Sequence, residues 1–97
     1  MPTSRKGEKM NIYEFADIIN KSIIVTRYAN QDGRFSARFD CCETKQGTCL
    51  CGEYADGKTP QEAINNYKNK IVGKTLVFHA TNEDYRQEYV APKMEDV

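Results

Sequence analysis

The stretch GEYADGKTPQEAINNY at residues 52–67 predicts a strand, a turn and the sharp start of a helix. Its Asp-Gly pair supplies turn chemistry. Thr59 suits the N-cap position, and Pro60 follows at the first helical position, where its missing N–H costs nothing. Glu62 completes a T-x-x-E capping box. None of these side chains points to a chemical reaction, so the stretch predicts fold rather than function.

The helix that begins here continues with one apolar face at helical spacing. This face consists of Ala63, Ile64, Tyr67 and Ile71. Gly73 suits the left-handed conformation that often follows the last turn of a helix. We therefore expect the helix to end near Gly73.

An earlier helix is predicted from NIYEFADIINKSI at residues 11–23. Its apolar residues recur at spacings of three and four, which is typical of a helix with one buried face. They are Ile12, Phe15, Ala16, Ile19 and Ile23. Asn11 and Glu14 form an N-x-x-E start that resembles a capping box.

A first hairpin is predicted after this helix. SIIVTRYA is rich in β-branched and aromatic residues, and NQDG supplies the turn. RFSARFDC then alternates apolar and polar residues, which is typical of a half-buried strand. The expected core-facing residues are Phe35, Ala37, Phe39 and Cys41. The expected water-facing residues are Arg34, Ser36, Arg38 and Asp40.

A second hairpin is predicted through ETKQG, with TCLCGEYA as the returning strand. A charged residue such as Glu53 seldom points into a core. We therefore expect Leu50 and Tyr54, which lie at the alternate positions, to face the core. Cys49 and Cys51 are then expected on the open face of the sheet.

The end of the chain completes the predicted fold. KTLVFHA predicts a fourth strand and DYRQEYVA a fifth, which ends at Pro92. The fold class is therefore α+β with the order α-β-β-β-α-β(β), in which two helices pack on one face of one antiparallel sheet. We expect residues 1–9 to be a disordered N-terminal tail, 10–91 a single domain and 92–97 a C-terminal tail. The expected core includes Phe15, Ile19, Phe39, Leu50, Ile64 and Tyr67.

Length and charge limit the function. The 97 residues fit one small domain, and 14 Lys and Arg balance 14 Asp and Glu. The chain therefore lacks the overall positive field of a basic nucleic-acid binder. No apolar run approaches the ~20 residues that span a bilayer, and the polar start MPTSRKGEKM precedes no signal-peptide apolar region. We predict a cytoplasmic protein without membrane association.

Four cysteines raise the alternatives of a zinc site and a disulfide. Structural zinc sites favour C-x-x-C spacing, whereas Cys41 and Cys42 are adjacent and Cys49 and Cys51 are separated by one residue. A disulfide between Cys42 and Cys49 across the second hairpin is geometrically easier, but cytosolic thiols are kept reduced. We therefore predict free thiols, no bound metal and no cofactor.

The sequence does not predict an enzyme. A Cys/His nucleophile pair would need an orienting group and a cleft, and His79 is interpreted as a surface residue of the fourth strand. The sequence contains no G-x-S-x-G, P-loop or G-x-G-x-x-G motif. We expect neither catalytic nor cofactor-binding residues.

The candidate partner-binding residues are Arg27, Arg34, Arg38 and Glu53. The three arginines are expected to line the open face of the sheet, and arginines beside tyrosines are typical of single-strand nucleic-acid platforms. The acidic residues of the same hairpins favour a mixed-charge surface instead. The lysines at the end of the second helix are interpreted as charges that interact with the C-terminal end of its dipole. They are Lys68, Lys70 and Lys74.

Two motifs carry a family resemblance. YANQDGRFSARFDCCE and GEYADGKTPQEAINNYKNKI, within residues 24–72, are similar to the strand, D-G turn, F-x-A-x-F strand and G-x-T-x-E-A-I helix start of HicB antitoxins. The predicted order of helix, three antiparallel strands and helix also resembles double-stranded-RNA-binding-like folds. HicB antitoxins usually carry a DNA-binding module after this domain, and residues 73–97 are too few for one. The chain also resembles small uncharacterised phage and prophage proteins from NIYEFADIIN through KTLVF.

These observations predict a small binding or regulatory protein, of phage origin, that acts on a protein partner. One alternative is a nucleic-acid-binding protein that uses the open sheet face. The other is a HicB-like antitoxin that lacks its DNA-binding module. An exposed sheet edge would also allow weak homo-oligomerisation.

Overall fold

The computed structural model describes residues 10–29 and 33–97. Its helices are α1 (Ile12–Ile19) and α2 (Pro60–Ile71). Between them lie β1 (Ile23–Arg27), β2 (Phe35–Phe39), β3 (Cys42–Gln46), β4 (Cys49–Cys51) and β5 (Ala55–Gly57). After α2 follow β6 (Thr75–Phe78) and β7 (Gln87–Val90). The predicted α+β class is confirmed, and the predicted order is broadly matched, although five described strands instead of three lie between the helices.

Both helices start where the sequence predicts, and the first has the complete capping box whereas the predicted box at Thr59 forms only in part. The Asn11 side chain accepts a hydrogen bond from the Glu14 N–H at 3.0 Å, and the Glu14 carboxylate accepts one from the Asn11 N–H at 2.9 Å. Thr59 Oγ1 accepts from the Glu62 N–H at 3.0 Å. Glu62 reaches one residue further back, where it accepts from the Lys58 N–H at 2.7 Å. These bonds satisfy backbone donors that the first turn leaves without helical partners.

The described strands form two antiparallel sheets instead of the one sheet expected. The first sheet has the order β1-β2-β5, and the second has the order β4-β3-β6-β7. The chain passes from one sheet to the other at Cys41, whose φ of 54° lies in the left-handed region. A left-handed residue cannot continue an extended strand. The chain therefore turns after β2, and β3 pairs with β6.

Because the chain turns at Cys41, the side chains after it that were expected to face the core face water, and the reverse. Cys41 is exposed, whereas Cys42 is half-buried against the core. Leu50 is 36% exposed and Tyr54 is 50% exposed. A shift of one residue along an extended chain moves each side chain to the other face of its sheet. The core-facing positions predicted for Cys41, Leu50 and Tyr54 are therefore wrong.

Glu53 was expected to face water because it is charged, but its side chain is largely buried. The Glu53 side chain is only 17% exposed, and Lys74 Nζ lies 3.3 Å from its carboxylate. The Gln46 amide donates a further hydrogen bond to the same carboxylate at 3.4 Å. A carboxylate with such partners can leave bulk water. The strand faces inferred from Glu53 were therefore inverted.

The core lies between the helices and the inner faces of both sheets. Phe15, Ile19, Phe39, Ile64 and Tyr67 are buried as predicted. The Phe39 ring is central, because it meets the rings of three neighbours edge to face. The centroid distances are 6.2 Å to Phe15, 5.9 Å to Tyr67 and 5.6 Å to Phe78. Burial of these aromatic rings joins α1, α2 and both sheets.

The segment at 92–97 packs against the domain, although the sequence predicted a C-terminal tail. Met94 is 8% exposed, and the Glu95 N–H donates to the Met10 carbonyl at 2.9 Å. The Val97 N–H donates to the Asn65 side chain at 2.7 Å. Backbone and apolar contacts thus hold this segment beside α1 and α2. The tail predicted for residues 1–9 lies outside the described residues.

Within the described residues, neither helix is long and apolar enough to cross a membrane.

Candidate functional site

One face of the first sheet carries no helix among residues 10–29 and 33–97. Ala37, Phe39 and Ala55 lie on its buried face. The strand register places Arg38 beside Ile24 and Ser36 between Thr26 and Asp56 on the opposite face. We call that opposite face the open face, and it consists of Ile24, Thr26, Tyr28, Arg34, Ser36, Arg38, Tyr54 and Asp56. None of these residues is buried.

The structure separates the four candidate partner-binding residues. Arg34 and Arg38 lie two positions from Ser36 and share the open face with it by strand alternation. Arg27 pairs with Phe35 and therefore lies on the opposite, helix-bearing side. Glu53 is held by Lys74. The expectation that all three arginines line one face is wrong, because Arg27 has the other parity in its strand.

Tyr28 and Asp56 interact across the open face. The Tyr28 hydroxyl donates a hydrogen bond to an Asp56 carboxylate oxygen at 2.8 Å. This bond is the main reason that the pKa of Tyr28 is raised, and partial burial adds to the effect. Asp56 thus has a fixed partner within the face.

A cleft of about 500 Å³ continues the open face towards the second sheet. It is lined by Arg38, Cys41, Cys42, Glu43, Gly52, Glu53, Tyr54, His79, Ala80 and Thr81. The His79 N–H donates to the Cys41 carbonyl at 3.0 Å, and His79 also has a left-handed φ of 55°. The cleft therefore lies beside two residues with left-handed backbone, Cys41 between β2 and β3 and His79 directly after β6. The sequence did not predict it, because no local motif marks either conformation.

The charges of the cleft are mixed. The Arg38 guanidinium donates a hydrogen bond to the Phe39 carbonyl at 3.4 Å. Glu43 and Glu53 bring two carboxylates, of which Glu53 is paired with Lys74 at 3.3 Å. Tyr54 contributes an exposed aromatic ring. The cleft can therefore accept a polar side chain beside an aromatic surface.

The cysteine geometry excludes a Cys42–Cys49 disulfide. In the β3–β4 hairpin, Gln46 lies opposite Cys49. Cys42 is four positions from Gln46 along the strand, which corresponds to roughly 13 Å by strand rise. Disulfide-bonded residues need Cα atoms within about 7 Å of each other. The four cysteines are free thiols.

The arrangement of these groups does not support a metal cluster among the described residues, and it disfavours Cys42 as a nucleophile. Among residues 10–29 and 33–97, no three His, Cys, Asp or Glu side chains are grouped as ligands for one ion. Burial raises the pKa of the Cys42 thiol from 9.0 to about 11. Cys42 is therefore protonated at neutral pH, and a protonated thiol is a poor nucleophile.

The three lysines near the end of α2 have local partners. Lys68 is 5% exposed and forms an ion pair with Asp96. Lys70 Nζ donates to the Tyr54 carbonyl at 2.9 Å and lies 5.7 Å from the centre of the Tyr54 ring. Lys74 pairs with Glu53. These lysines support tertiary contacts in addition to any effect on the helix dipole.

Comparisons with protein-family models, with curated proteins and with solved structures found no significant match.

Proposed function

We propose that this chain is a small, non-enzymatic binding protein of the cytoplasm that holds a protein partner on the open face and in the adjoining cleft. One observation carries the proposal: the strand register brings Tyr28, Arg34, Arg38 and Tyr54 to the sheet face that neither described helix covers. Aromatic and arginine side chains are enriched among the residues that dominate binding energy at protein interfaces. An uncovered antiparallel sheet face of this composition is suited to recognition.

The exposed Arg38 side chain favours an acidic segment of the partner, because it forms no ion pair among the described residues. Asp56 brings a carboxylate to the same face. The Tyr28 hydroxyl already hydrogen-bonds to that carboxylate. The Arg38 side chain lies between the open face and the cleft, so it would contact a partner bound to either. Tyr54, which is 50% exposed, offers the aromatic surface beside it.

A nucleic-acid partner is the second candidate, because tyrosines and arginines on an open sheet also stack and neutralise single strands. The balance of 14 positive and 14 negative residues argues against it, since nucleic-acid affinity depends on phosphate neutralisation. The position of Arg27 on the helix-bearing side also leaves the open face with fewer positive charges. A HicB-like antitoxin role remains a prediction from the motifs within residues 24–72.

The test compares matched variants in partner capture from the native host. The double variant Arg38→Ser, Tyr54→Ser alters the open face, and Val90→Ser alters an exposed residue of the second sheet. We expect the wild type and Val90→Ser to retain the same protein and the double variant to lose it. Retention by the double variant would place the binding surface elsewhere and contradict the proposal.

Nucleic acid is tested separately by fluorescence anisotropy with labelled single-stranded and double-stranded RNA at rising salt. Under the proposal, neither RNA binds at physiological ionic strength. RNA affinity that falls steeply with salt and is lost in the double variant would support the second candidate instead.

A further inference from the structure

The β1 strand has an unpaired outer edge in the described part of the chain, where β2 is its one strand neighbour. The phase of the β1–β2 ladder follows from two flanking hydrogen bonds. The Asp40 N–H donates to the Ser22 carbonyl, and the Tyr28 N–H donates to the Arg34 carbonyl, both at 3.0 Å. Hydrogen-bonded pairs alternate along an antiparallel ladder. The backbone groups of Ile23, Val25 and Arg27 therefore point away from β2.

This strand is the longest of the described edge strands. β1 has five residues, whereas the other edge strands, β4, β5 and β7, have three, three and four. Burial decreases along β1, and Val25, Thr26 and Arg27 are exposed. Natural proteins usually protect an exposed edge with proline, bulges or inward-pointing charges. The sequence IIVTR contains neither proline nor glycine, and its single charge, Arg27, lies on the helix-bearing side at the last position of the strand.

We propose that β1 pairs with β1 of a second copy of this chain, antiparallel and centred on Val25. In this register Val25 faces Val25 of the second copy, and Ile23 faces Arg27 on both sides of the two-fold axis. Two exposed valine side chains are thereby covered, and no like charges face each other. Antiparallel pairing of outward-pointing residues also gives both strands their missing backbone partners.

The neighbouring registers are less favourable. A shift of two residues in one direction places Lys21 opposite Arg27 of the second copy. A shift of four residues in the other direction places Arg27 opposite Arg27. Like charges directly opposite each other destabilise a strand pair. A shift of two residues in the other direction pairs Val25 with Arg27, and a shift of four residues in the first direction pairs Val25 with Lys21. Neither register covers the valine with another apolar side chain.

The assembly would extend the first sheet without covering its open face. Two antiparallel strands in one sheet are related by an axis perpendicular to it, so the helices of both copies lie on the same side. The six strands would have the order β5-β2-β1-β1-β2-β5. Both open faces then form one continuous surface on the other side. This inference does not depend on the partner-binding proposal, because it concerns the edge of the sheet.

The decisive experiment uses opposite charges at the centre of the interface. The full chain and its variants Val25→Lys and Val25→Glu are compared by sedimentation velocity from about 10 μM to about 500 μM, which covers dissociation constants weaker than about 1 μM and stronger than about 1 mM. We expect the wild type to dimerise with concentration. Each variant alone should associate at least about tenfold more weakly, because like charges meet at the axis. An equimolar mixture of the two variants should form heterodimers.

Val90→Lys, on the exposed β7 edge, is the matched control and should dimerise like the wild type. Hydrogen exchange of the wild type gives a readout that needs no variant. The Ile23, Val25 and Arg27 amides should become more protected as concentration rises. A monomeric wild type, a mixture that stays monomeric, or loss of the dimer in Val90→Lys would overturn the proposal. Protection that does not depend on concentration would show that the chain covers its own edge and would also overturn it.

Discussion

The Tyr67 hydroxyl oxygen accepts a hydrogen bond from the Phe39 backbone N–H at 3.2 Å, and the two rings meet edge to face. The Phe39 N–H points away from β1, because the hydrogen-bonded pairs on either side of it are Ser22–Asp40 and Ile24–Arg38. On the other side, β5 reaches no further along β2 than Ala37. Tyr67 of α2 therefore supplies the acceptor that a longer β5 would have given.

We predict that Tyr67→Phe lowers the free energy of unfolding by about 1 to 3 kcal/mol, the usual range for a buried donor left without its acceptor. The aromatic ring remains, so core packing is kept. Urea denaturation measures the change. Arg38→Ala, at the exposed neighbouring position, should lie within about 0.5 kcal/mol of the wild type. Equal stabilities of Tyr67→Phe and the wild type would show that the Phe39 N–H finds another acceptor.

Gly57 determines how closely β5 approaches α2. A Cβ atom at Gly57 would lie 2.7 Å from the Glu62 carbonyl carbon and closer still to the Ala63 backbone nitrogen. Backbone atoms cannot move aside as a flexible side chain can. We predict that Gly57→Ala destabilises the fold by about 3 kcal/mol or more, at the upper end of overpacking effects. Gly52→Ala is the control, because a methyl group at Gly52 would meet nothing within 4 Å, and its thermal midpoint should stay near that of the wild type.

The two helix starts could be predicted because a few adjacent residues determine them. The Asn11–Glu14 and Thr59–Glu62 hydrogen bonds form within one turn and need no tertiary contact. The strand faces after Phe39 could not be predicted in the same way. Apolar and polar residues continue to alternate through Cys41, but the backbone turns there and β3 pairs with a strand more than thirty residues away, as in Cys42↔Phe78. The sequence pattern carries no signal for that long-range choice.

The fold should be more stable with glycine than with cysteine at position 41. The Cys41 φ of 54° is sterically unfavourable for a residue with a Cβ atom, and glycine adopts it without strain. We predict that Cys41→Gly raises the free energy of unfolding by about 1 kcal/mol and that Cys41→Val lowers it. Cys49→Gly is the control in an extended strand, where glycine should be destabilising by about 0.5 to 1 kcal/mol. If both glycine variants are destabilised, the left-handed turn at Cys41 is not present in solution.

The candidate site could be predicted only in part, because some of its residues meet through long-range strand pairing. Strand alternation placed Arg34 and Arg38 on the open face correctly. The cleft requires His79 to meet Cys41, and that contact depends on the pairing of β3 with β6. Tyr54 was expected in the core and lies at the cleft instead. Residues that meet through long-range strand pairing have no shared local motif.

The Lys68–Asp96 ion pair holds the C-terminal segment on α2. Lys68 is 6% exposed at its side chain, whereas Asp96 is 68% exposed. Asp96→Asn would leave the nearly buried ammonium group without a counter-charge, and we predict a loss of about 1 to 3 kcal/mol, between the values for surface and buried pairs. Lys68→Met removes the charge and keeps the apolar stem, so it should be close to neutral. Similar losses in urea denaturation for both variants would contradict this account.

The Cys42 thiol gives the fold a pH dependence in the alkaline range. Burial raises its pKa from 9.0 to about 11, so the folded chain favours the protonated thiol more than the unfolded chain does. A raised pKa of this kind contributes stability that is complete below pH 9 and is lost as the pH rises towards about 11. Cys42→Ala removes the titrating group. The difference in thermal midpoint between the wild type and Cys42→Ala should therefore shift in favour of the variant across this range.

Cys49→Ala is the matched control, because Cys49 is exposed and its removal should leave the alkaline loss of stability unchanged. Thiol titration of the folded protein at pH 8 gives an independent measurement. Cys41 and Cys49 should react quickly, because they are exposed. Cys42 should react slowly until the chain is unfolded, because only the thiolate attacks and burial disfavours it. Rapid reaction of Cys42 in the folded protein, together with an unchanged pH profile in Cys42→Ala, would show that its side chain faces water and that β3 has the parity expected from simple alternation.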